Sequence, residues 1–162
     1  MPGRIATIGV YGFDAESFLE ALRGAGVEVL LDVRQRRGVR GPEYAWANSQ
    51  RLQAALAKAG VEYQHHKELA PTTAMRQAQY RADDAAGEGK RNRTHLSPEY
   101  ESLYLDQVLD RADLAPIAAL AGERLPALMC VERDAEACHR SLVAARLERE
   151  HGLTAVHLRP QG

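Results

Sequence analysis

The residue types with the greatest chemical potential are concentrated in one short stretch of the chain. Both cysteines, Cys130 and Cys138, lie there together with Glu132, His139 and Arg140. Cysteine thiolates act as nucleophiles, redox groups or metal ligands. Strand-like apolar sequence precedes the stretch and helix-like sequence follows it. Because ligands of α/β sheets bind beyond the carboxyl ends of the strands, this strand-to-helix turn is a candidate functional site.

The two cysteines have different predicted surroundings. Cys138 falls in the first turn of a predicted helix, beside His139 and Arg140, and both the helix terminus and the cations favour a thiolate. We therefore expect Cys138 to react faster than Cys130. Packing as a small hydrophobe is the commoner role for Cys130, which lies in an apolar strand. A metal site is the weakest interpretation, because the spacing Cys130-x7-Cys138-His139 lacks the close ligand pairs of structural zinc sites, and no metal ligand is predicted.

Charged residues at two strand ends admit a structural and a functional interpretation. Asp32 and Arg34 leave the second predicted strand on the same side, since side chains alternate along a strand. They either form an internal salt bridge that closes the loop, or Arg34 and Arg140 clamp an anion while Asp32 orients an arginine or accepts a proton. Glu132 is a candidate base, although a solvated loop carboxylate is the more common case.

Glycines after the first strand favour a ligand-binding turn. Gly9 and Gly12 allow the backbone to approach a ligand at the start of the first helix. The dinucleotide pattern G-x-G-x-x-G and the P-loop lysine are both absent, so the sequence identifies no cofactor.

The candidate catalytic residues are Cys138, Cys130, Asp32 and Glu132, and the candidate ligand-binding residues are Gly9, Tyr11, Arg34, His139, Arg140 and Ser141.

A basic loop with aromatic residues close behind it suggests a second kind of partner. The loop holds Arg34, Arg36, Arg37 and Arg40, and it is followed by Tyr44 and Trp46. Such a loop suits phosphates and stacked bases, so nucleic acid is a candidate partner. A solvated loop anchored by its tryptophan fits the same pattern.

Strand and helix patterns alternate along the chain. Helices are expected from Asp14 to Gly26, from Asn48 or Ser49 to Gly60, from Ala70 to about Gln79, from Ser97, around Pro116–Ala121 and from about Glu136 to Glu150. A mobile loop is expected at Arg81–Thr94. Strands are expected at Arg4–Gly9, Val27–Val33, Val61–His65, Ala127–Val131 and Thr154–Leu158. These elements predict a three-layer α/β domain with a mostly parallel five-stranded sheet flanked by helices, formed by residues 1–162 as a single domain.

Composition limits the cellular and chemical context. The 162 residues carry a formal net charge of -1, which argues against strong non-specific binding of nucleic acid by the whole protein. No apolar run reaches the about 18 residues of a membrane span, and the chain enters its first strand without signal-peptide features. Two cysteines provide no disulfide framework. We therefore expect a cytoplasmic protein, and the oligomeric state is not predicted.

Several motifs together resemble a known family. Thr7-Ile8-Gly9, Asp32-Val33-Arg34, Cys130-x-Glu132 and Cys138-His139-Arg140-Ser141 are similar, in order and spacing, to the family called "domain of unknown function 488". The stretches Arg36–Gly41 and Tyr44–Asn48 resemble one branch of that family. The chain departs from the family at Val10, where relatives often carry His or Tyr, and Tyr11 is the neighbouring candidate for that role. The resemblance implies a fold and a site but no activity.

Two classes of function fit these residues. The first is an enzyme that acts on a small anionic or phosphate-bearing substrate through a cysteine thiol. The Asp-Val-Arg motif and the strand-end cysteine of this chain are analogous to those of rhodanese-like sulfur transferases. The compact cysteine loop of those proteins is replaced here by a longer turn from Glu132 to Glu136. The second class is a module that binds nucleotides or nucleic acid without covalent chemistry.

Overall fold

The computed structural model describes residues 3–39, 41–87 and 96–160. Five strands form one sheet in the order β3-β2-β4-β1-β5, and every neighbouring pair is parallel. This arrangement confirms the predicted α/β sheet. The strands are β1 (Arg4–Gly9), β2 (Val29–Asp32), β3 (Glu62–His65), β4 (Pro126–Cys130) and β5 (Thr154–Leu158).

Six helices of the described chain connect or flank these strands. They are α1 (Ala15–Ala25), α2 (Ser49–Ala59), α3 (Thr73–Ala86), α4 (Pro98–Gln107), α5 (Ala115–Glu123) and α6 (Arg140–His151). The predicted caps at Asp14 and Ser97 are present, since each side chain accepts a hydrogen bond from the backbone three residues later. Short 3-10 helices occupy Pro42–Ala47, Lys67–Leu69, Leu109–Arg111 and Ala135–Ala137.

None of the helices in the described parts of the chain combines the length and the apolar character needed to cross a membrane.

The helices cover both faces of the sheet and create two cores. On one face α1 and α2 pack against side chains such as Leu30 and Met129. On the other face α3, α4, α5 and α6 pack against side chains such as Leu31 and Leu128. Both faces of each central strand are therefore buried, which explains the continuous apolar runs. The predicted core residues are confirmed, because none of the following is exposed: Val29, Leu30, Leu31, Leu128 and Met129.

Two helix boundaries differ from the sequence prediction. Helix α3 begins later than expected, where Thr72 caps it, and continues to Ala86 through the first part of the predicted mobile loop. Gly87 acts as its left-handed C-cap at φ 73°, so this glycine ends a helix. Residues 88–94 of that predicted loop lie outside the described residues. Helix α6 begins at Arg140, because Ala135–Ala137 forms a separate 3-10 turn before it.

The connections around β4 create a crevice at the carboxyl edge of the sheet. Helices α1 and α2 follow β1 and β2 onto one face, whereas α6 follows β4 onto the other. Because β4 lies between β1 and β2, the connection that leaves β4 and the connections that leave its two neighbours go to opposite faces of the sheet at this point. Such a divergence is where open α/β sheets bind ligands.

Candidate functional site

A cavity of about 1090 Å³ lies at this carboxyl edge, between the ends of β2 and β4 and helix α3. Six of the candidate residues line it: Tyr11, Arg34, Cys130, Glu132, Cys138 and His139. The other four candidates are not part of its lining: Gly9, Asp32, Arg140 and Ser141. The structure therefore gathers six of the ten candidate residues around one cavity.

The two cysteines meet at the floor of the cavity. Cys130 is the last residue of β4, and Cys138 follows the 3-10 turn that brings the chain back toward the strand. The structure pairs them as a disulfide, which the sequence analysis did not expect. Their Cα atoms are 7.2 Å apart, whereas disulfides usually span about 4.4–6.8 Å. Each cysteine is 2% exposed, so access to either sulfur is through the cavity.

His139 is oriented by the backbone so that one ring nitrogen faces a sulfur. Its Nε2 is 2.8 Å from the carbonyl oxygen of Val33, which only accepts hydrogen bonds, so Nε2 carries the proton. The lone pair of Nδ1 then lies 3.5 Å from Sγ of Cys138. Burial lowers the pKa of His139 to about 4, and the neighbouring charge of Arg140 contributes in the same direction. The imidazole is consequently neutral near pH 7.

Arg140 is buried behind the cavity and braces the loop after β4. Its guanidinium donates to the carbonyl oxygens of Glu132 and Arg133, at 2.8 and 3.2 Å, and to Sγ of Cys130 at 3.1 Å. None of the ion pairs formed among the described residues includes Arg140. Burial lowers its pKa to about 10. Its hydrogen bond to a side chain is thus made to a cysteine sulfur, and its other two go to backbone carbonyl oxygens.

Asp32 and Arg34 form the internal salt bridge that was one of the two sequence interpretations. The Arg34 guanidinium donates twice to the Asp32 carboxylate, at 2.9 Å each, and once to the carbonyl oxygen of Ala47 at 2.9 Å. Tyr63 also donates its hydroxyl to Asp32. Asp32 is fully buried and Arg34 is 2% exposed. These contacts use Arg34 to fix the loop after β2, and the structure does not bring Arg34 and Arg140 together as a clamp.

Gly9 and Ser141 have contacts within the fold. A Cβ atom on Gly9 would overlap the carbonyl oxygen of Glu132, so the glycine permits the close approach of the loop that follows β4. The Ser141 hydroxyl donates to the carbonyl oxygen of Cys138 at 2.8 Å. Val10, where the chain departs from the family pattern, is fully buried in the core.

Glu132 and Tyr11 border the cavity on the side of β1. The Oε2 atom of Glu132 lies 3.7 Å from Sγ of Cys130, which places a carboxylate next to the sulfur pair. The Tyr11 ring packs at 5.1 Å from the ring of Tyr44 and forms part of the wall. Carboxylate, sulfur and imidazole therefore share one end of the cavity.

Arginines supply positive charge at the other end of the cavity. Arg76 extends from α3, where it donates to Gln35 at 3.0 Å and to Tyr80 at 2.8 Å, and Arg36 is exposed beside it on the lining. Neither arginine belongs to an ion pair among the described residues. The sequence does not single out Arg76, because nothing in the pattern of α3 indicates which of its polar side chains faces the strand ends.

Most of the basic loop is occupied by contacts within the protein. Arg37 donates to the Tyr63 hydroxyl at 3.4 Å, and the Tyr44 hydroxyl accepts a hydrogen bond from the backbone of Gly12. Trp46 packs against Phe18 with ring centroids 5.0 Å apart. Arg40 lies outside the described residues. Among the arginines predicted to contact nucleic acid, Arg36 is exposed, lines the cavity and belongs to none of the ion pairs formed by the described residues.

One group of donors within the described chain has the composition of a metal site. The sulfurs of Cys130 and Cys138 and a ring nitrogen of His139 all lie within 4.8 Å of one another, and all three residues are buried. The sequence spacing concealed this group, because Cys138 and His139 approach Cys130 only after the turn folds back onto β4.

The chain matches the family model described as "Domain of unknown function DUF488" over residues 14–147. No curated protein matches it significantly. The family match contains β2, β4 and both sequence segments that carry the cysteine–histidine cluster. The cavity and its cluster are thus features of a protein that belongs to the DUF488 family.

Proposed function

We propose that this protein is an enzyme that acts on a small anionic substrate held in the cavity, and that the cluster of Cys130, Cys138 and His139 is its reacting centre. The observation that carries the proposal is the position of the cluster. Two sulfurs and an oriented imidazole lie on the floor of a cavity at the carboxyl edge of a parallel sheet. Reactive groups gathered in such a cavity are characteristic of active sites.

The charge around the sulfurs supports a thiolate cluster. Arg140 is a fully buried cation whose guanidinium donates to Sγ of Cys130. A buried charge is costly unless an opposite charge or a set of hydrogen bonds compensates it. A thiolate at Cys130 would lie within hydrogen-bond distance of this cation and be stabilised by it. In the reduced protein the Cys138 thiol would donate its hydrogen to the Nδ1 lone pair of His139, which lies 3.5 Å from that sulfur.

The remainder of the cavity favours an anion as substrate. Arg36 and Arg76 line it, and Glu132 is the carboxylate in the lining. Arg34 also lines the cavity, but its charge is matched by Asp32. Neutral hydrogen-bonding groups from Gln35, Thr73, Gln77 and Tyr80 surround the arginines. Guanidinium groups with neutral donors beside them are well suited to a phosphate or carboxylate group.

Anion binding is tested with inorganic phosphate, a nucleoside monophosphate and a dicarboxylate as probes. The reduced protein is titrated with each by calorimetry, and iodoacetamide labelling of the cysteines is followed with and without the probe. We expect at least one anion to bind and to slow labelling, because it fills the route to the sulfurs. Arg76→Met is expected to weaken binding about tenfold or more, since it removes a charged hydrogen-bond partner.

The matched control is Arg149→Met, which removes an exposed arginine at the far end of α6. It is expected to leave both binding and labelling unchanged. The proposal fails if none of the anions protects the cysteines, or if the two arginine variants behave alike.

A further inference from the structure

We infer that Cys130, Cys138 and His139 bind one soft divalent metal ion, of which zinc is the representative, and that its fourth coordination position opens into the cavity. This inference builds on the proposed function by stating how the cluster works. The donors would be the two sulfurs and Nδ1 of the imidazole. Metal binding requires the reduced pair: a dithiol reductant first opens the Cys130–Cys138 disulfide by transferring two electrons and two protons and is itself oxidised to a disulfide. Binding then releases the two thiol protons to solvent, and the ion keeps its oxidation state.

The donor set is one that zinc uses in proteins. Zinc prefers thiolate sulfur and imidazole nitrogen, and catalytic zinc sites have three protein ligands with a fourth position left for water or substrate. The three donor atoms lie within 4.8 Å of one another, so a single ion can reach them all. The cysteines and His139 also line the cavity, which supplies the open position.

The hydrogen bond of His139 is the one that a metal-ligating histidine makes. Such histidines donate their other ring N–H to a carbonyl or carboxylate, which fixes both the tautomer and the ring orientation. His139 donates Nε2–H to the carbonyl oxygen of Val33 at 2.8 Å, which leaves the Nδ1 lone pair directed at the sulfurs. An unprotonated nitrogen is therefore already oriented for ligation.

The backbone separation of the cysteines favours an ion between the sulfurs. The Cα atoms of Cys130 and Cys138 are 7.2 Å apart. This separation lies outside the about 4.4–6.8 Å that disulfides usually span. Two thiolates that share one ion need more room than two bonded sulfurs, because the ion lies between them at about 2.3 Å from each.

Neighbouring groups provide the outer environment of the ion. Arg140 donates to Sγ of Cys130 at 3.1 Å, which stabilises a thiolate ligand. The carboxylate of Glu132 lies 3.7 Å from the same sulfur and borders the cavity. It is placed to accept a proton from a water at the open position. A metal ion with a carboxylate beside its open position is the arrangement that activates water.

The inference is tested on the full chain, reduced and freed of metal under anaerobic conditions, by titration with Co²⁺ followed by Zn²⁺. We expect one Co²⁺ per chain, with a thiolate-to-cobalt absorption band and the visible bands of tetrahedral cobalt, all displaced by Zn²⁺. X-ray absorption of the zinc form should give two sulfurs at about 2.3 Å and nitrogen or oxygen at about 2.0–2.1 Å. Both measurements use the wild-type chain, so they do not depend on the folding of a variant.

Variants then identify the ligands. Cys130→Ser, Cys138→Ser and His139→Gln are each expected to lose the tetrahedral cobalt spectrum. His151→Gln replaces an exposed histidine at the end of α6 and is expected to retain it. The inference is overturned if the reduced wild type gives no thiolate-to-cobalt band, or if the His139 variant keeps the complete spectrum.

The outcomes also separate this inference from the proposed function. If no metal binds but an anion protects free thiols from labelling, the proposed function stands and the metal site is refuted. If cobalt binds through both sulfurs but none of the anions binds or perturbs its spectrum, the metal site stands and the anionic substrate is refuted.

Discussion

The contribution of the buried Asp32–Arg34 ion pair to the stability of the fold around the cavity can be tested directly. The Asp32 carboxylate accepts two hydrogen bonds from the guanidinium, one from the backbone N–H of Arg34 and one from Tyr63. The side chains of the pair are 0% and 1% exposed. Asp32→Ala would leave the guanidinium buried without its counter-charge. Removal of one partner of such a pair costs about 3–5 kcal/mol.

That cost is a large share of the about 5–15 kcal/mol that stabilises a domain. With a urea m-value of about 2 kcal/mol/M, it lowers the unfolding midpoint by roughly 2 M. The double variant Asp32→Leu/Arg34→Met removes both charges, so we expect it to be more stable than Asp32→Ala alone. It is still expected to be less stable than wild type, because Tyr63 and the Ala47 carbonyl lose their partners.

The measurement is urea unfolding of wild type, Asp32→Ala, Arg34→Met and the double variant, analysed as a double-mutant cycle. Asp110→Ala serves as control, because it breaks a surface ion pair with Arg146 in which Asp110 is 56% exposed, and it should cost less than about 1 kcal/mol. An Asp32→Ala cost as small as that of the control, or a double variant equal to the sum of the single variants, would refute the structural role assigned to the pair.

Two further predictions concern residues around the cavity. Gly9→Ala should destabilise the protein by several kcal/mol or prevent folding, because the new Cβ atom would overlap the carbonyl oxygen of Glu132. As a control, Gly24→Ala should stabilise the protein by about 0.5–1 kcal/mol, because Gly24 lies in α1 with open space around it. Equal urea unfolding midpoints of the two variants would contradict this prediction. In the reduced, metal-free protein, the unfolding free energy should fall as pH drops from about 6.5 to 4 and level off below, because the unfolded chain protonates His139 first. His139→Gln should reduce this pH dependence, and an unchanged profile would contradict the assignment.

The sequence could predict the sheet and the edge of the sheet at which several candidate residues meet. Val29, Leu30 and Leu31 form an uninterrupted apolar run, which indicates a strand buried on both faces, and all three are fully buried. The crowding of reactive residues at the end of β4 located the cavity, since parallel strands bring their carboxyl ends together. Both inferences depend on local pattern and on general rules of topology.

The roles of the individual charged residues could not be predicted in the same way. Arginine is rarely buried completely, so its type alone favours a surface or ligand-facing position. Arg140 is nevertheless fully buried, because its helix begins beneath the loop whose carbonyl oxygens it binds. The contribution of Arg76 depends on how α3 packs across the strand ends, which is a tertiary property.

Charge balance connects the two proposals for the cavity. The thiolates of Cys130 and Cys138 would offset a divalent ion, which leaves the buried charge of Arg140 unmatched by the metal cluster. The cavity lining contributes two further positive charges, those of Arg36 and Arg76, and one negative charge, that of Glu132. Arg34 also lines the cavity, but its charge is neutralised by Asp32 and is not counted. The loaded cavity therefore carries an excess of positive charge, which attracts an anion. Because an oxygen of the anion can also occupy the fourth coordination position of the ion, we expect zinc to increase the affinity for the anion that binds.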